Sequence, residues 1–306
     1  MKRETIKPFI KWAGGKTQLL PELDARLPED FKRTVRVYAE PFVGGGALLF
    51  HLLAKGLRPE RVVVNDSNPD LANAWRVVQS HAAELVEALD ELQTDYRART
   101  GEEDRRAFYL AVRDAYNAAI ADCADNPVRR TARMLFLNRT CFNGLYRVNA
   151  KGAFNVPFGR YANPRICDRE TLLADSAALA GVEILDGDFA DALAGAGPDW
   201  FVYFDPPYRP ISATSGFRDY TQGGFDDREQ HRLADVCRTL DRKGVRWLLS
   251  NSDPKGTDPG DTFFDGLYAG FDIRGVQASR MVNAKADRRG KLGEILVSNF
   301  TNGVPS

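Results

Sequence analysis

VRVYAEPFVGGGALLFHLLAKG at residues 35–56, with RVVVND at 61–66, is the stretch that decides the fold. VRVYAEP is a β-branched and aromatic run of strand length, FVGGG a glycine turn, ALLFHLLAKG an apolar helix with a glycine stop, and RVVVND a second strand. Strand, turn, helix and strand make one βαβ unit, so a parallel sheet follows. Further strand signals lie far downstream, at VEILDGD (182–188), DWFVYFDPPY (199–208), VRWLLSN (245–251), FDIRGVQ (271–277) and EILVSNF (294–300), with a helical stretch near 227–242. The sheet is therefore split in sequence. Between its halves, helical patterns such as LANAWRVVQSHAAELVEALDEL and DRRAFYLAVRDAYNAAI dominate. The expected organisation is an α/β domain built from 1–68 and 168–306, interrupted by a second domain at 69–167.

The 306 residues carry 42 Lys+Arg against 42 Asp+Glu and are 43% hydrophobic, which excludes disorder, a collagen-like chain and a disulfide scaffold. The neutral sum hides opposed segments. From His81 to Asp104 there are eight acids and two bases; from Asn126 to Cys167 there are eight bases and no acid, interleaved with aromatic residues and Asn. Bases mixed with aromatic rings suit phosphate contact and base readout, whereas the plain alternative is a solvated basic face packed against the acidic helix. Within that stretch, Asn143-Gly144 and Lys151-Gly152 flank a short alternating segment and predict a hairpin held away from the core. Such a hairpin would present Arg147 and Asn side chains to base edges.

The cysteines at 123, 141, 167 and 237 form no CxxC pair, and His51, His81 and His231 show no metal-ligand spacing. Reduced thiols in a cytosolic protein, without a metal, are the expectation. Charge interrupts every apolar stretch of the N-terminus, so neither export nor membrane insertion is expected.

Three motifs carry chemistry. Gly44-Gly45-Gly46-Ala47 sits where glycines let backbone approach a ligand at a helix N-terminus, but Leu49 stands at the third position of a dinucleotide fingerprint. Asp66 ends the next strand, 22 residues beyond Gly44, where a carboxylate accepts from ribose hydroxyls. AGGKT at 13–17 lacks the first glycine of a phosphate-binding loop, leaving Lys16 free to meet an anion such as an amino-acid carboxylate. The sharpest signal is FVYFDPPY, an apolar strand delivering Asp205-Pro206-Pro207-Tyr208 at its carboxyl end. Two prolines remove two N–H donors, so the loop offers a carboxylate and carbonyls to an exocyclic amine, with Tyr208 as a stacking face.

FIKWAGGK (9–16), EPFVGGGA (40–47), Asn65-Asp66, Asn143-Gly144-Leu145, Asp188-Phe189 and DPPY occur together in this order. The chain thereby resembles the Dam family of DNA adenine-N6 methyltransferases, over about residues 7–300. The resemblance implies a Rossmann-like, S-adenosylmethionine-dependent methyltransferase sheet with an inserted, mainly helical target-recognition domain carrying a β-hairpin. It implies S-adenosyl-L-methionine as cofactor, held by Trp12, Ala13, Lys16, Phe42, Gly44, Gly46, Asp66, Asp188, Phe189 and Asp205, and a catalytic tetrad of Asp205, Pro206, Pro207 and Tyr208. Lys11, Phe142, Asn143, Leu145, Arg147 and Pro157 match residues that insert into or read a GATC-type site, and the basic Arg139 and Arg160 join them as expected DNA contacts. Phe142 replaces a frequent tyrosine of the family hairpin, and Gly45 a frequent Ser or Ala.

The implied reaction is methyl transfer to a flipped adenine of duplex DNA by a cytoplasmic monomer, with or without a cognate restriction endonuclease. Methylation of RNA or of a protein glutamine, and a catalytically silent DNA-binding protein, are the competing readings. SATSGFRDYTQGGF (212–225) is expected to be a mobile loop that orders around the flipped base, and Arg280 to Lys291 an additional basic segment.

Overall fold

The computed structural model describes residues 6–118, 126–209, 225–278 and 292–301. The 212–225 loop, apart from Phe225, and the basic segment 280–291 lie outside the described residues. The elements in chain order are α1 (Leu20–Asp24), α2 (Phe31–Thr34), β1 (Val37–Glu40), α3 (Ala47–Ala54), β2 (Arg61–Asp66), α4 (Pro69–Ser80), α5 (Ala82–Arg97), α6 (Glu102–Ala118), α7 (Pro127–Thr140), α8 (Arg169–Ala178), β3 (Glu183–Asp186), β4 (Trp200–Phe204), α9 (Asp227–Arg242), β5 (Arg246–Ser252), α10 (Phe263–Leu267), β6 (Asp272–Ala278) and β7 (Leu292–Ser298). The chain divides into two compact units, one of residues 1–15, 44–57 and 66–186, the other of 16–43, 58–65 and 187–306.

Six strands of the seven-stranded sheet run through the second unit in the order β2-β1-β4-β5-β7-β6, β3 being the seventh. β1 pairs in parallel with β2 (Val37 opposite Arg61) and with β4 (Val37 opposite Trp200), and β4 pairs in parallel with β5. β7 then enters antiparallel between β5 and β6. The βαβ reading thus holds, and the parallel strands are the continuous apolar runs that a sheet covered on both faces requires. VYAE of β1 and WFVYF of β4 are buried throughout. The chain leaves β1 toward β2 on one side and β4 toward β5 on the other. Their carboxyl ends therefore flank the switch point where open α/β sheets bind ligands, and Asp205 follows directly on β4. α9 packs on β5 through Leu233, Ala234, Cys237 and Leu240, its N-terminus capped by the Asp226 carboxylate.

The first unit is built on α7. Asn126 caps it by accepting from the Val128 and Arg129 amides, Pro127 suits the first turn, and its core face packs against α4, α5 and α6. LANAWRVVQSHAAELVEALDEL runs as two helices, because the His81 backbone is not helical. The hairpin differs from expectation in two ways. Its arms meet through isolated antiparallel bridges, Cys141 with Phe158 and Val148 with Phe154, and Asn149 to Gly152 form the tip, while Asn143-Gly144 makes a separate left-handed turn in one arm. It is also not held away from the core. Phe154 and Val156 are buried, and α6 grips their arm, the Tyr109 hydroxyl donating to the Val156 carbonyl at 2.7 Å and Asn117 pairing both ways with the Phe154 backbone. Alternation on one arm supplies an apolar face that only the neighbouring helix can cover.

Candidate active site and nucleic-acid interface

In the second unit, β4 ends and the turn Asp205-Pro206-Pro207-Tyr208 begins. Asp205 Oδ1 takes the Lys16 ammonium at 2.8 Å and the Ser250 hydroxyl at 3.0 Å, leaving Oδ2 without a partner among the described residues. The same ammonium lies 4.3 Å from the Tyr208 ring centre, and Lys16 is only 5% exposed. Burial raises the Asp205 carboxyl above its ordinary range, while Lys16 and Ser250 pull it back. The Tyr208 hydroxyl donates to Glu294 Oε2 at 2.5 Å, which fixes the ring; burial, with Asp205 and Glu294 nearby, raises its pKa. No donor among the described residues reaches the Pro206 carbonyl, whereas that of Pro207 accepts from Gln230 at 3.2 Å. A carboxylate oxygen and a carbonyl thus stand open beside an aromatic face, the set that a planar amine requires.

A second carboxylate and ring occupy the same unit. Asp188 Oδ1 accepts from the Ala190 amide at 2.9 Å and is ion-paired with Arg232, which holds its carboxyl below the usual range. The Arg232 guanidinium lies 4.3 Å from the centre of the Phe189 ring, which also stacks with Phe42 at 5.1 Å and leans on Phe225. Beside them Asn65 donates to the Pro41 and Gly187 carbonyls, and its own Oδ1 is buried without a partner.

In the first unit, Asp66 accepts from the Gly44 amide at 3.0 Å and the Asn68 amide at 2.9 Å, and burial raises its carboxyl. Gly46 has φ 67°, and a Cβ there would stand 2.4 Å from the Trp75 ring, so glycine is required. Trp75 donates to the Gly44 carbonyl at 3.0 Å, and the Trp12 indole lies against Gly44 and Tyr146. Ala13 is exposed next to it. In the first unit the Asp66 carboxylate and a glycine turn too close-packed for side chains fit a ligand that brings hydroxyls; in the second the orphaned Asn65 oxygen fits a hydrogen-bond donor such as an amine.

The hairpin face belongs wholly to the first unit. Phe142 and Leu145 are 53% and 40% exposed on either side of the Asn143-Gly144 turn. Arg147 is exposed but not loose, since Nε donates to Asn155 Oδ1 at 2.7 Å and Nη2 to the Asn155 carbonyl at 3.1 Å. Asn138 exchanges hydrogen bonds with the Lys11 backbone at 3.0 and 2.8 Å and donates to Gly144, tying Lys11 to the turn. Pro157 and Arg160 are exposed, Arg160 in a loose pair with Glu102 at 3.4 Å. Arg139 is turned inward. It donates to the Phe9 carbonyl at 2.7 Å beside a cavity of about 10 Å³, and burial lowers its pKa. Arg130, also counted in the basic stretch, is held in a bidentate pair with Asp70 at 2.6 and 2.9 Å. Asn138, Gln230, Ser250, Glu294 and Arg232 carried no sequence motif; each is a polar residue with a partner remote in the chain.

Among the described residues, no group of His, Cys, Asp and Glu could hold a metal ion, and no helix is long and apolar enough to cross a membrane. A mostly parallel sheet bearing an Asp-Pro-Pro-Tyr turn at the carboxyl end of a central strand defines a Rossmann-like methyltransferase. The family profile described as "D12 class N6 adenine-specific DNA methyltransferase" matches residues 12–282, and the chain belongs to that family. It is 46% identical over 297 residues to the type II methyltransferase M.MjaIII of Methanocaldococcus jannaschii, covering 96% of this chain and 99% of that protein. It is 40% identical to the type II methyltransferase M1.LlaDCHI of Lactococcus lactis subsp. cremoris, covering 97% and 96% of the two chains. It is 32% identical to the DNA adenine methylase of Vibrio cholerae, covering 95% of each. The protein is thus an adenine-specific DNA methyltransferase.

Proposed function

We propose that the protein transfers a methyl group from S-adenosyl-L-methionine to the N6 amine of an adenine flipped out of duplex DNA, in a GATC-type site. The observation that carries this reading is the pairing of an open Asp205 Oδ2 with an open Pro206 carbonyl beside Tyr208. The two acceptors take the two N–H bonds of the amine and turn its lone pair outward, and the Tyr208 ring stacks on the base; positioning and electrostatics supply the acceleration. The target must leave the stack because its amine is inaccessible inside a duplex. S-adenosylmethionine supplies an electrophilic methyl group when bound. Trp12, Ala13, Lys16, Phe42, Gly44, Gly46 and Asp66 are assigned to its amino-acid and ribose portions, Asp188 and Phe189 to its adenine, with Asp205 beside the transferred group. Residues 69–167 act as the target-recognition domain. Phe142 and Leu145 are wedges, Lys11, Asn143 and Arg147 read bases, and Pro157 and Arg160 lie along the backbone. Arg139, turned inward, supports the segment bearing Lys11. The protein works as a cytoplasmic monomer, and its likeness to type II enzymes favours pairing with a cognate endonuclease.

The test is sequencing of unmethylated duplex DNA after incubation with S-adenosylmethionine, reading methylated adenines directly. N6-methyladenine confined to GATC-type sites is expected. Methylation at a different motif overturns the site assignment, and none at all overturns the reaction.

A further inference from the structure

Pro206 and Pro207 leave the catalytic turn without amide donors at two successive positions, so it cannot be locked by hydrogen bonds of its own. Its anchoring must come from outside. Gln230, in the first turn of α9, is fully buried and donates to the Pro207 carbonyl at 3.2 Å. Its own carbonyl accepts from Asn251 Nδ2 at 3.2 Å, and Asn251 is fully buried on β5. Asn251 Oδ1 accepts from the Arg209 amide at 3.2 Å and from the Ser252 amide at 2.9 Å, while the Ser252 hydroxyl donates to the Arg209 carbonyl at 2.9 Å. The turn is held on its far side, at residues 207 and 209, by a relay of two buried side-chain amides. Buried amides cost free energy unless paired, so both are confined to this one arrangement.

We propose that Gln230, oriented by Asn251, is a positioning residue for methyl transfer. By occupying the Pro207 carbonyl it fixes the turn so that the Pro206 carbonyl and Asp205 alone face the target amine. The inference rests on the assignment of those two acceptors. Gln230 touches neither target nor cofactor in that assignment, so its loss acts through geometry at the reacting nitrogen rather than through binding.

Three variants test it, with kcat, the calorimetric Kd for S-adenosylhomocysteine and the Kd for duplex DNA measured on each. Gln230→Leu keeps the volume and removes the donor; kcat is expected to fall by about 10- to 100-fold while both Kd values stay near wild type. Gln230→Glu supplies a donor only while its carboxyl is protonated. Its kcat should therefore match that of wild type at the same pH on the acid side of the profile and collapse on an alkaline limb that wild type lacks, burial placing that limb above the ordinary carboxylate range. Asp205→Ala is the reference for the acceptor assignment. If Gln230→Leu turns over normally, or if it weakens kcat and both Kd values alike, the positioning role is overturned, as it is if Gln230→Glu shows no added limb. Should Asp205→Ala keep its turnover, the acceptor assignment fails first and this inference with it.

Discussion

Asp188 with Phe189 and Asp205 with Tyr208 are the same device built twice in one unit. In each pair the carboxylate anchors one oxygen on a cation and a neutral donor, Arg232 and the Ala190 amide in the first, Lys16 and the Ser250 hydroxyl in the second. Each cation also lies over the neighbouring ring, at 4.3 Å from its centre in both. What differs is burial. Arg232 and Asp188 have 40% and 43% of their side chains exposed, and Asp188 is held below the usual carboxylate range. Lys16 is buried, and Asp205 is raised even with the ammonium against it. Solvent makes the first cation an accessory, whereas desolvation makes the second a condition for keeping Asp205 charged.

The hardest way to break the comparison is to remove the Asp205 carboxylate. Asp205→Ala should lower kcat by at least about 10²- to 10³-fold, with cofactor and DNA binding largely intact, because the lost acceptor acts on the developing charge. Retained methylation in a radiolabel transfer assay would sink the assignment.

Lys16→Met sharpens it. Turnover needs Asp205 ionised, so activity falls as pH falls through its raised pKa, and wild type should show an acid limb above the ordinary carboxylate range. Without Lys16 the desolvation remains and the compensation goes, so the limb of kcat at saturating cofactor should move to higher pH. An unmoved limb would show that Lys16 does not govern Asp205. Arg232→Ala is the matching change at the exposed pair. Since a half-exposed ion pair contributes about 0.2–1 kcal/mol, the Kd for S-adenosylhomocysteine should weaken by no more than about fivefold, less still at high salt, with kcat unchanged. A loss as large as that of Lys16→Met would erase the distinction drawn from burial.

The sequence made one half of each device visible. DPPY and Asp188-Phe189 are local, and the apolar run of β4 places DPPY at a strand end because a parallel strand buried on both faces has little room for polar residues. Their partners were not legible. Glu294 reaches Tyr208 across 86 positions, and Ser250, Asn251 and Gln230 meet the catalytic turn only after β5 and α9 have packed. One polar residue in VRWLLSN has no periodicity to announce its role. Lys16 was expected beside an amino-acid carboxylate; the fold sets it against Asp205, a pairing that no spacing in AGGKT encodes. The hairpin was legible from its turns but not its burial, because the face of α6 that covers Phe154 and Val156 lies in a different segment.

A third carboxyl, in the first unit, shows what burial does with no ion pair to offset it, the nearby Lys7 lowering and Asp168 raising its pKa as smaller effects. Asp175 on α8 accepts from the Lys7 amide at 3.3 Å through Oδ1, and its Oδ2 is buried without a partner. Burial pushes this carboxyl up to about 8. The unfolded chain releases the same proton near an ordinary carboxylate pKa of about 4. The folded state therefore holds an extra proton between those values, and stability falls as pH rises from about 4 to about 8, with no further loss above that window. Asp175→Asn keeps the acceptor for Lys7 and has nothing to ionise. It should be more stable than wild type at pH 7 by about 1 kcal/mol or more, with the gap closing toward about pH 4, and its methylation kinetics should match wild type. Urea unfolding at several pH values measures this directly. Equal slopes for the two proteins would mean that Asp175 ionises normally in the fold, and that burial alone is too weak a force here to explain why Asp205 needs Lys16.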